Sequence, residues 1–323
     1  MMIFLKTKEK IHKGKIYLSL IRRWTSIFLK RSYYHVPQPV GKYFSRYNVG
    51  GYYNDLTRKV DWKGEVDKEG IPVNFVNGNK IYFPVTIAQM ALGSYDLWLE
   101  TRNTKYRDIF LNCASWLIKN QDQEGGWDSF SNLGLKSLTP YSAMTQGEAI
   151  SVLTRAFLLT ENEEFLEGAK KSFNLLIKPV MEGGCSFYEN NEVFLEELPV
   201  IPRNTILNGW VFSIFGIYDL WLVLKDNEIK NIMDHTIRSL ERNLKFYDSG
   251  YWSYYDIEKN LASPFYHNLH IALLDALYRI TDIETFGSFS KKWKSYGEGI
   301  VNKTRALIIK AYQKLRTLGV ILE

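Results

Sequence analysis

The chain has only two cysteines in 323 residues, Cys113 and Cys185. They stand far apart and form no metal-ligand spacing, so structural thiols in a reducing, cytoplasmic location are the expectation. No stretch of 18 or more consecutive apolar residues occurs, which leaves nothing of the length that crosses a bilayer. A signal-peptide pattern is missing as well: the apolar run 16–21 is short, contains Ser19, and is followed by Arg22 and Arg23 rather than a small-residue cleavage site. The five histidines are scattered except for His267 and His270, and no His/Asp/Glu group has ligand spacing, so no metal is expected. The pairs Gly50–Gly51, Gly125–Gly126 and Gly183–Gly184 lack the strand-to-helix setting of a phosphate loop or a dinucleotide fingerprint. The expected chemistry therefore uses no cofactor.

With 46% hydrophobic and 24% charged residues, composition is that of an ordinary globular chain. At this length roughly three quarters of the unfolded surface can be buried. Aromatics make up 15% of the chain, which fits either a heavy core or an aromatic-lined, carbohydrate-facing cavity. The net charge of +6 is unevenly placed. Residues 1–35 hold nine Lys or Arg against Glu9 alone, so the remainder carries a net of −2. A basic footprint confined to one tail, without a recognised motif, excludes a globally basic nucleic-acid binder.

Within that tail, Ile16, Tyr17, Leu20, Ile21, Trp24, Ile27 and Phe28 share one helical face while Lys15, Arg22, Arg23 and Lys30 take the other. Residues 1–36 thus read as a basic amphipathic segment. Its helix, within 15–31, would lie on a membrane surface, dock on a partner or pack on its own domain. Residues 37–85 read as an irregular lead-in, with Pro37, Pro39 and Gly41 at its start and a β-hairpin signal around Asn77–Gly78.

From residue 86 onward the chain repeats itself. The stretches 87–100, 147–160, 209–222 and 269–282 align so that Tyr95, Phe157, Tyr218 and Tyr278 fall 62, 61 and 60 residues apart. A second, more charged helix follows each: Lys105–Lys119, Glu163–Ile177, Asn227–Leu244 and Glu284–Lys303. A period near 60 with two helices per unit predicts an array of helical hairpins. The first helix of each pair is too apolar to face water, so the array is expected to close into an all-α toroid of helical hairpins over 86–323. Its inner helix ends and joining loops would surround a central cleft. The repeat fixes architecture and leaves chemistry open.

Polar and aromatic residues concentrate in the joining loops. There the chain resembles the C-terminal helical domain of the heparan sulfate and heparosan D-glucuronyl C5-epimerase family. The resemblance is carried by GIPVNF and YFPVTIAQMALGSY within 70–95, NQDQEGGW (120–127), YSAMTQGEAISVLTRAFLLT (141–160), EELPVIPRNTILNGW (196–210), the YD, G and YYD of 247–256, YHNLH (266–270) and KKWKSY (291–296). It implies conversion of D-glucuronic acid to L-iduronic acid units in a glycosaminoglycan-like polyanion, by removing the C5 proton and returning one to the opposite face. That proton is weakly acidic, so such a site needs a base on each side of the ring and cationic or hydrogen-bonding groups that hold enediolate-like charge. By matching position the resemblance makes Glu197, Tyr255 and Tyr266 the catalytic candidates. Tyr82, Gln146, Arg203, Asn208, Lys259, His267 and His270 are the candidate substrate contacts. A phenol acting as base near neutral pH would need a cationic neighbour, and Arg203, Lys259, His267 and His270 are the cations or potential cations nearby in sequence.

The chain departs from the family pattern at two points. Leu198 stands where the family has a tyrosine after its glutamate, and Glu258 stands where it has an arginine. These departures keep two alternatives open: a polysaccharide lyase, which shares the first proton abstraction, and a non-catalytic uronate-glycan binding protein. A homodimer is compatible with the sequence.

Overall fold

The structure, a computed structural model, describes residues 35–76 and 78–322, with side chains as far as Gln313. The amphipathic helix expected within 15–31 lies outside the described residues. Of the lead-in, β1 (Asn74–Val76) and β2 (Asn79–Ile81) form the expected hairpin, with Asn74 opposite Ile81.

Four helical hairpins follow: α1 (Pro84–Thr101) with α2 (Thr104–Asn120), α3 (Ala143–Thr160) with α4 (Glu163–Ile177), α5 (Leu207–Leu224) with α6 (Asn227–Asn243), and α7 (Pro264–Thr281) with α8 (Glu284–Glu298). The turn inside each hairpin is built the same way. The inner helix ends on a left-handed residue, Arg102, Glu161, Lys225 or Asp282, with φ of 56°, 58°, 53° and 58°. In three hairpins an Asx residue comes next and caps the outer helix: Asn103 accepts from Lys105 N–H, Asn162 from Glu164 N–H, and Asp226 from Glu228 and Ile229 N–H. The fourth has Ile283 there and no side-chain cap.

The inner helices pack in the order α1, α3, α5, α7 and the charged helices lie outside. This is the predicted toroid, read from helix periodicity and amphipathicity. Helix α5 is long and apolar enough to cross a membrane by composition, yet most of it is buried in the toroid. Its approach to α3 depends on two glycines. A Cβ at Gly147 would lie 2.4 Å from Ser213 Cα, and one at Gly216 would lie 2.2 Å from the Gly147 carbonyl oxygen. Helix propensity alone favours Gly147→Ala by about 1 kcal/mol, but overpacking costs about 1–3 kcal/mol when backbone must move. Chemical denaturation should therefore find Gly147→Ala destabilised; a more stable variant would show that α3 and α5 can separate freely.

Between α4 and α5, β3 (Ser186–Glu189) and β4 (Glu192–Leu195) form a second β-hairpin that the helical repeat did not anticipate. The last expected helix, 284–303, is two. Helix α8 stops at Gly299, whose ψ of 124° is extended, and α9 (Ile300–Leu322) starts anew. The Gly-Glu-Gly sequence at 297–299 explains the break, since glycine is the weakest helix former after proline. Helix α9 folds back over the 247–262 loop: Arg305 stacks on Tyr251 at 3.9 Å, and Gln313 Oε1 accepts from Leu261 N–H at 2.9 Å.

The lead-in threads the toroid at the ends where the inner helices finish. Lys42 pairs with Glu100 at 3.4 Å, Arg46 pairs with Asp282, and Tyr53 stacks on Phe215 with centroids 4.4 Å apart. That end is closed by chain, which leaves the opposite rim, where the inner helices begin, for the functional groups.

Candidate active site

Three segments meet at that rim. The Ala143 N–H donates to the Glu196 carbonyl at 2.9 Å and the Leu207 N–H to the Tyr255 carbonyl at 3.1 Å. These bonds set the Glu197 loop and the Tyr255 loop side by side at the start of α3 and α5. Asn208, 2% exposed, donates from Nδ2 to Glu197 Oε2 at 3.0 Å. A Cβ at Gly209 would come within 2.5 Å of Glu197 Cβ and Oε2. The Leu-Asn-Gly motif thus has a physical reading: Asn208 aims the carboxylate and Gly209 leaves room for it.

Tyr266 occupies the first turn of α7, where Ser263 Oγ accepts from its N–H at 3.4 Å. Its ring meets that of Tyr255 with centroids 4.7 Å apart, and the two phenols are hydrogen-bonded. Glu197 lies near enough for its charge to act on Tyr255. The three catalytic candidates are therefore brought into one cluster.

Electrostatics separates their roles. Burial pushes the Glu197 carboxyl up to about 7; the neighbouring Glu196 reinforces this and the Asn208 bond opposes it. Burial first, then the Glu197 charge and the Tyr266 phenol, drive Tyr255 well above the ordinary tyrosine range. Tyr255 is thus a neutral phenol near neutrality, and among the described residues no cation lowers it toward the range of a base.

The residues proposed to supply that cation are committed elsewhere. His267 and His270 are fully buried; their Nδ1 atoms contact Ser253 Oγ at 2.8 and 3.1 Å, and His267 Nε2 meets the Trp293 carbonyl oxygen at 3.0 Å. Burial lowers them to about 4 and about 3, so they are uncharged core groups and not substrate contacts. Arg203 pairs with Glu189 at 3.0 Å, lies 3.5 Å from the Phe194 ring centroid and donates to Thr205 Oγ1 at 2.8 Å, so it braces the loop. Lys259 is exposed at a turn with φ of 65° and supplies no buried charge. Gln146 faces α4, where its Oε1 accepts from Ser172 Oγ at 2.5 Å, and it is sealed from solvent. Tyr82 sits apart from the cluster, donating to Asp67 Oδ2 at 2.9 Å and packed beside Trp116. Of the seven expected substrate contacts, Asn208 is hydrogen-bonded to a member of the catalytic cluster, through Glu197.

Two residues that the sequence did not single out belong to the site. Glu148 on α3 is wholly buried, accepts from Gln89 Nε2 at 2.9 Å and leaves Oε2 without a partner. Burial pushes it up to about 8, Gln89 and Lys59 oppose the shift, and the charge of Glu197 adds to it. Lys59 comes from a 3-10 turn of the lead-in, Thr57–Lys59. Burial lowers it to about 8 against the pull of Glu148. The chain thus places a half-buried cation, Lys59, within reach of Glu148, and the charge of Glu197 acts in turn on Glu148 and on Tyr255. Glu148 was within a matched stretch but two residues from the expected Gln146, and residues i and i+2 point to different sides of a helix. Lys59 gives no sequence signal, because only folding of the lead-in brings it to α3.

The model described as D-glucuronyl C5-epimerase C-terminus matches residues 121–295. Over 223 residues the chain is 32% identical to D-glucuronyl C5-epimerase of Caenorhabditis elegans, which covers 61% of this chain and 36% of that protein. An uncharacterized protein of Methanocaldococcus jannaschii is 27% identical over 156 residues, 47% of this chain and 51% of that one. The chain spans about a third to a half of the length of these relatives. Among solved structures, cellobiose 2-epimerase from Bacillus thermoamylovorans matches with a TM-score of 0.52 over 73% of this chain and 66% of that chain at 12% identity, a likeness of fold.

Proposed function

The chain belongs to the D-glucuronyl C5-epimerase C-terminus family, and from that membership we propose that it is a uronosyl C5-epimerase, turning D-glucuronic acid into L-iduronic acid units of a glycosaminoglycan-like polysaccharide. The observation that carries this reading is the pairing, in one half-buried cluster, of a carboxyl raised to about 7 with a tyrosine raised well above its ordinary range. One is poised to accept a proton and the other to give one.

In this reading the Glu197 carboxylate, aimed by Asn208, takes the C5 proton. The electron pair of the C5–H bond moves into the uronate carboxylate as an enediolate, and Lys59 faces the added charge in place of the arginine absent at Glu258. The Tyr255 phenol, bonded to Tyr266, then donates to C5 from the other face. No atom is gained or lost beyond the exchanged proton, and solvent resets the two groups.

The test is deuterium incorporation at C5 of a glucuronic-acid polymer incubated with the protein in deuterated water; no incorporation across several such polymers would end the proposal. Leu198, which removes a tyrosine that the family has, favours one second reading, a lyase that expels the C4 oxygen from the same intermediate. A rise in ultraviolet absorbance from unsaturated uronate would reveal that outcome.

The same assignments fix a pH profile. Glu197 works deprotonated, so the rate should rise as pH passes about 7. Lys59 works protonated, so the rate should fall as pH passes about 8. Exchange rates should form a narrow bell between these values. A rate that climbs steadily into the range where tyrosine ionises would instead assign the base to a phenol.

A further inference from the structure

We propose that the cleft between β2, the end of α2 and the 128–132 turn is a second sugar subsite, holding a uronate unit of the same polymer away from the reacting one. The inference rests on the polysaccharide reading above and extends it to residues that the catalytic cluster does not use.

The cleft is a solvent-open groove of about 290 Å³, room for one sugar ring. Its wall is an aromatic pair, Tyr82 and Trp116, with centroids 5.5 Å apart and planes tilted by 31°. Tyr82 is held in place by its bond to Asp67, so the wall is preformed. Aromatic faces of this kind receive the C–H face of a pyranose, which is apolar although its rim of hydroxyls is not. The polar side chains lining the cleft are suited to those hydroxyls. Asn120 spends its Nδ2 on the Trp116 carbonyl at 2.8 Å, which leaves its amide oxygen to accept. Asp128 already accepts from the Phe130 and Ser131 N–H groups, each at 2.9 Å, so its carboxylate is fixed and can accept further from sugar hydroxyls. Lys80 is exposed at the edge and supplies the positive charge that a uronate carboxylate needs.

Position argues for continuity with the reacting site. Asp128 opens a loop whose Leu138 N–H donates to the Pro199 carbonyl at 2.8 Å, two residues beyond Glu197. One loop therefore lines the cleft on one flank and braces the Glu197 segment on the other. Both lie at the rim where the inner helices begin, so a linear polymer crossing that rim can occupy the two together.

The consequence is a dependence on chain length. Lys80→Glu and Trp116→Leu in the full chain should each weaken binding of a long oligosaccharide of alternating glucuronic acid and N-acetylglucosamine roughly three- to tenfold, read by calorimetry. In the C5 exchange assay KM for that chain should rise by a like factor, with kcat unchanged and the trisaccharide unaffected. Lys80 is exposed, so its variant keeps the fold even where loss of the half-buried Trp116 side chain lowers the melting temperature. Equal effects on long and short chains, or none on either, would overturn the subsite. Absence of C5 exchange in the parent would instead reject the epimerase reading, and the calorimetric comparison would still decide the cleft.

Discussion

Glu197→Gln should slow deuterium entry at C5 by roughly 10²–10⁴-fold, the range expected when a positioned general base is removed, while the melting temperature stays near that of the parent. Glutamine keeps the volume and can still bond Asn208 Nδ2, now 3.0 Å from the carboxylate, so the loop has no reason to collapse. What it loses is the site that accepts the proton. Stability gives the control. The carboxyl is raised to about 7 by burial, so its ionised form is disfavoured by the fold, and that cost is felt above its ordinary carboxylate range and grows as pH rises to about 7. A neutral amide should relieve this cost, leaving the variant inert but no less stable at neutral pH. A variant that retains parental exchange would move the base elsewhere, with Glu148 the next carboxyl in line.

The second large effect concerns stability. Arg155 on α3 and Asp219 on α5 form an ion pair at 2.5 Å with both side chains sealed from water. Arg155 also donates to the carbonyls of Ser151, Gly50 and Gly51 at 2.9, 3.0 and 3.0 Å, and the Tyr53 hydroxyl donates to Asp219 at 2.8 Å. The pair thus ties two inner helices to the lead-in that closes one end of the toroid. Asp219→Ala leaves a buried guanidinium without its counter-charge, which costs about 3–5 kcal/mol. That is a large share of the roughly 5–15 kcal/mol that holds most domains folded. Thermal unfolding should show a fall of roughly 6–20 °C. Replacing both partners by apolar residues, Arg155→Met with Asp219→Leu, should recover part of the loss, because no uncompensated charge then remains. Recovery would be incomplete, since the carbonyls of Gly50 and Gly51 lose their donor. If Asp219→Ala unfolds like the parent, the lead-in is not anchored through this pair.

The helical hairpins were legible because their signals are local. Apolar residues at helical spacing and a polar turn recur every 60 residues or so, and the outer helix 163–177 falls where the pattern puts it. The β3–β4 hairpin was less legible, because its strands are four residues each and lack a clear alternation. The break at Gly299 was missed because charged and apolar residues continue in helical phase across it.

The candidate site divides along the same line. Glu197, Asn208, Tyr255 and Tyr266 were named through matched stretches, and the loops do bring them together. Their directions were a different matter. Gln146 and Glu148 sit on one helix two residues apart, and only the position of α4 decides that Gln146 bonds Ser172 while Glu148 turns toward Gln89 and Lys59. Likewise His267 and His270 are polar and follow Tyr266, yet Ser253 and Trp293 enclose them.

By itself the sequence determined the helical hairpins, their period and the set of polar residues available at the rim, because hydrophobic spacing and caps act over a few residues. Only the tertiary structure decided which of those groups are charged and which face the cluster. Burial and neighbours set a proton's affinity, and the surroundings of Glu197 join Asn208 and Glu196 near it in sequence to Tyr255, far along the chain, and to Glu148, reached in turn by Lys59 from the lead-in. The fold then brought together, from common residue types, a carboxyl raised to about 7, a tyrosine raised well above its ordinary range and, next to Glu148, a half-buried lysine.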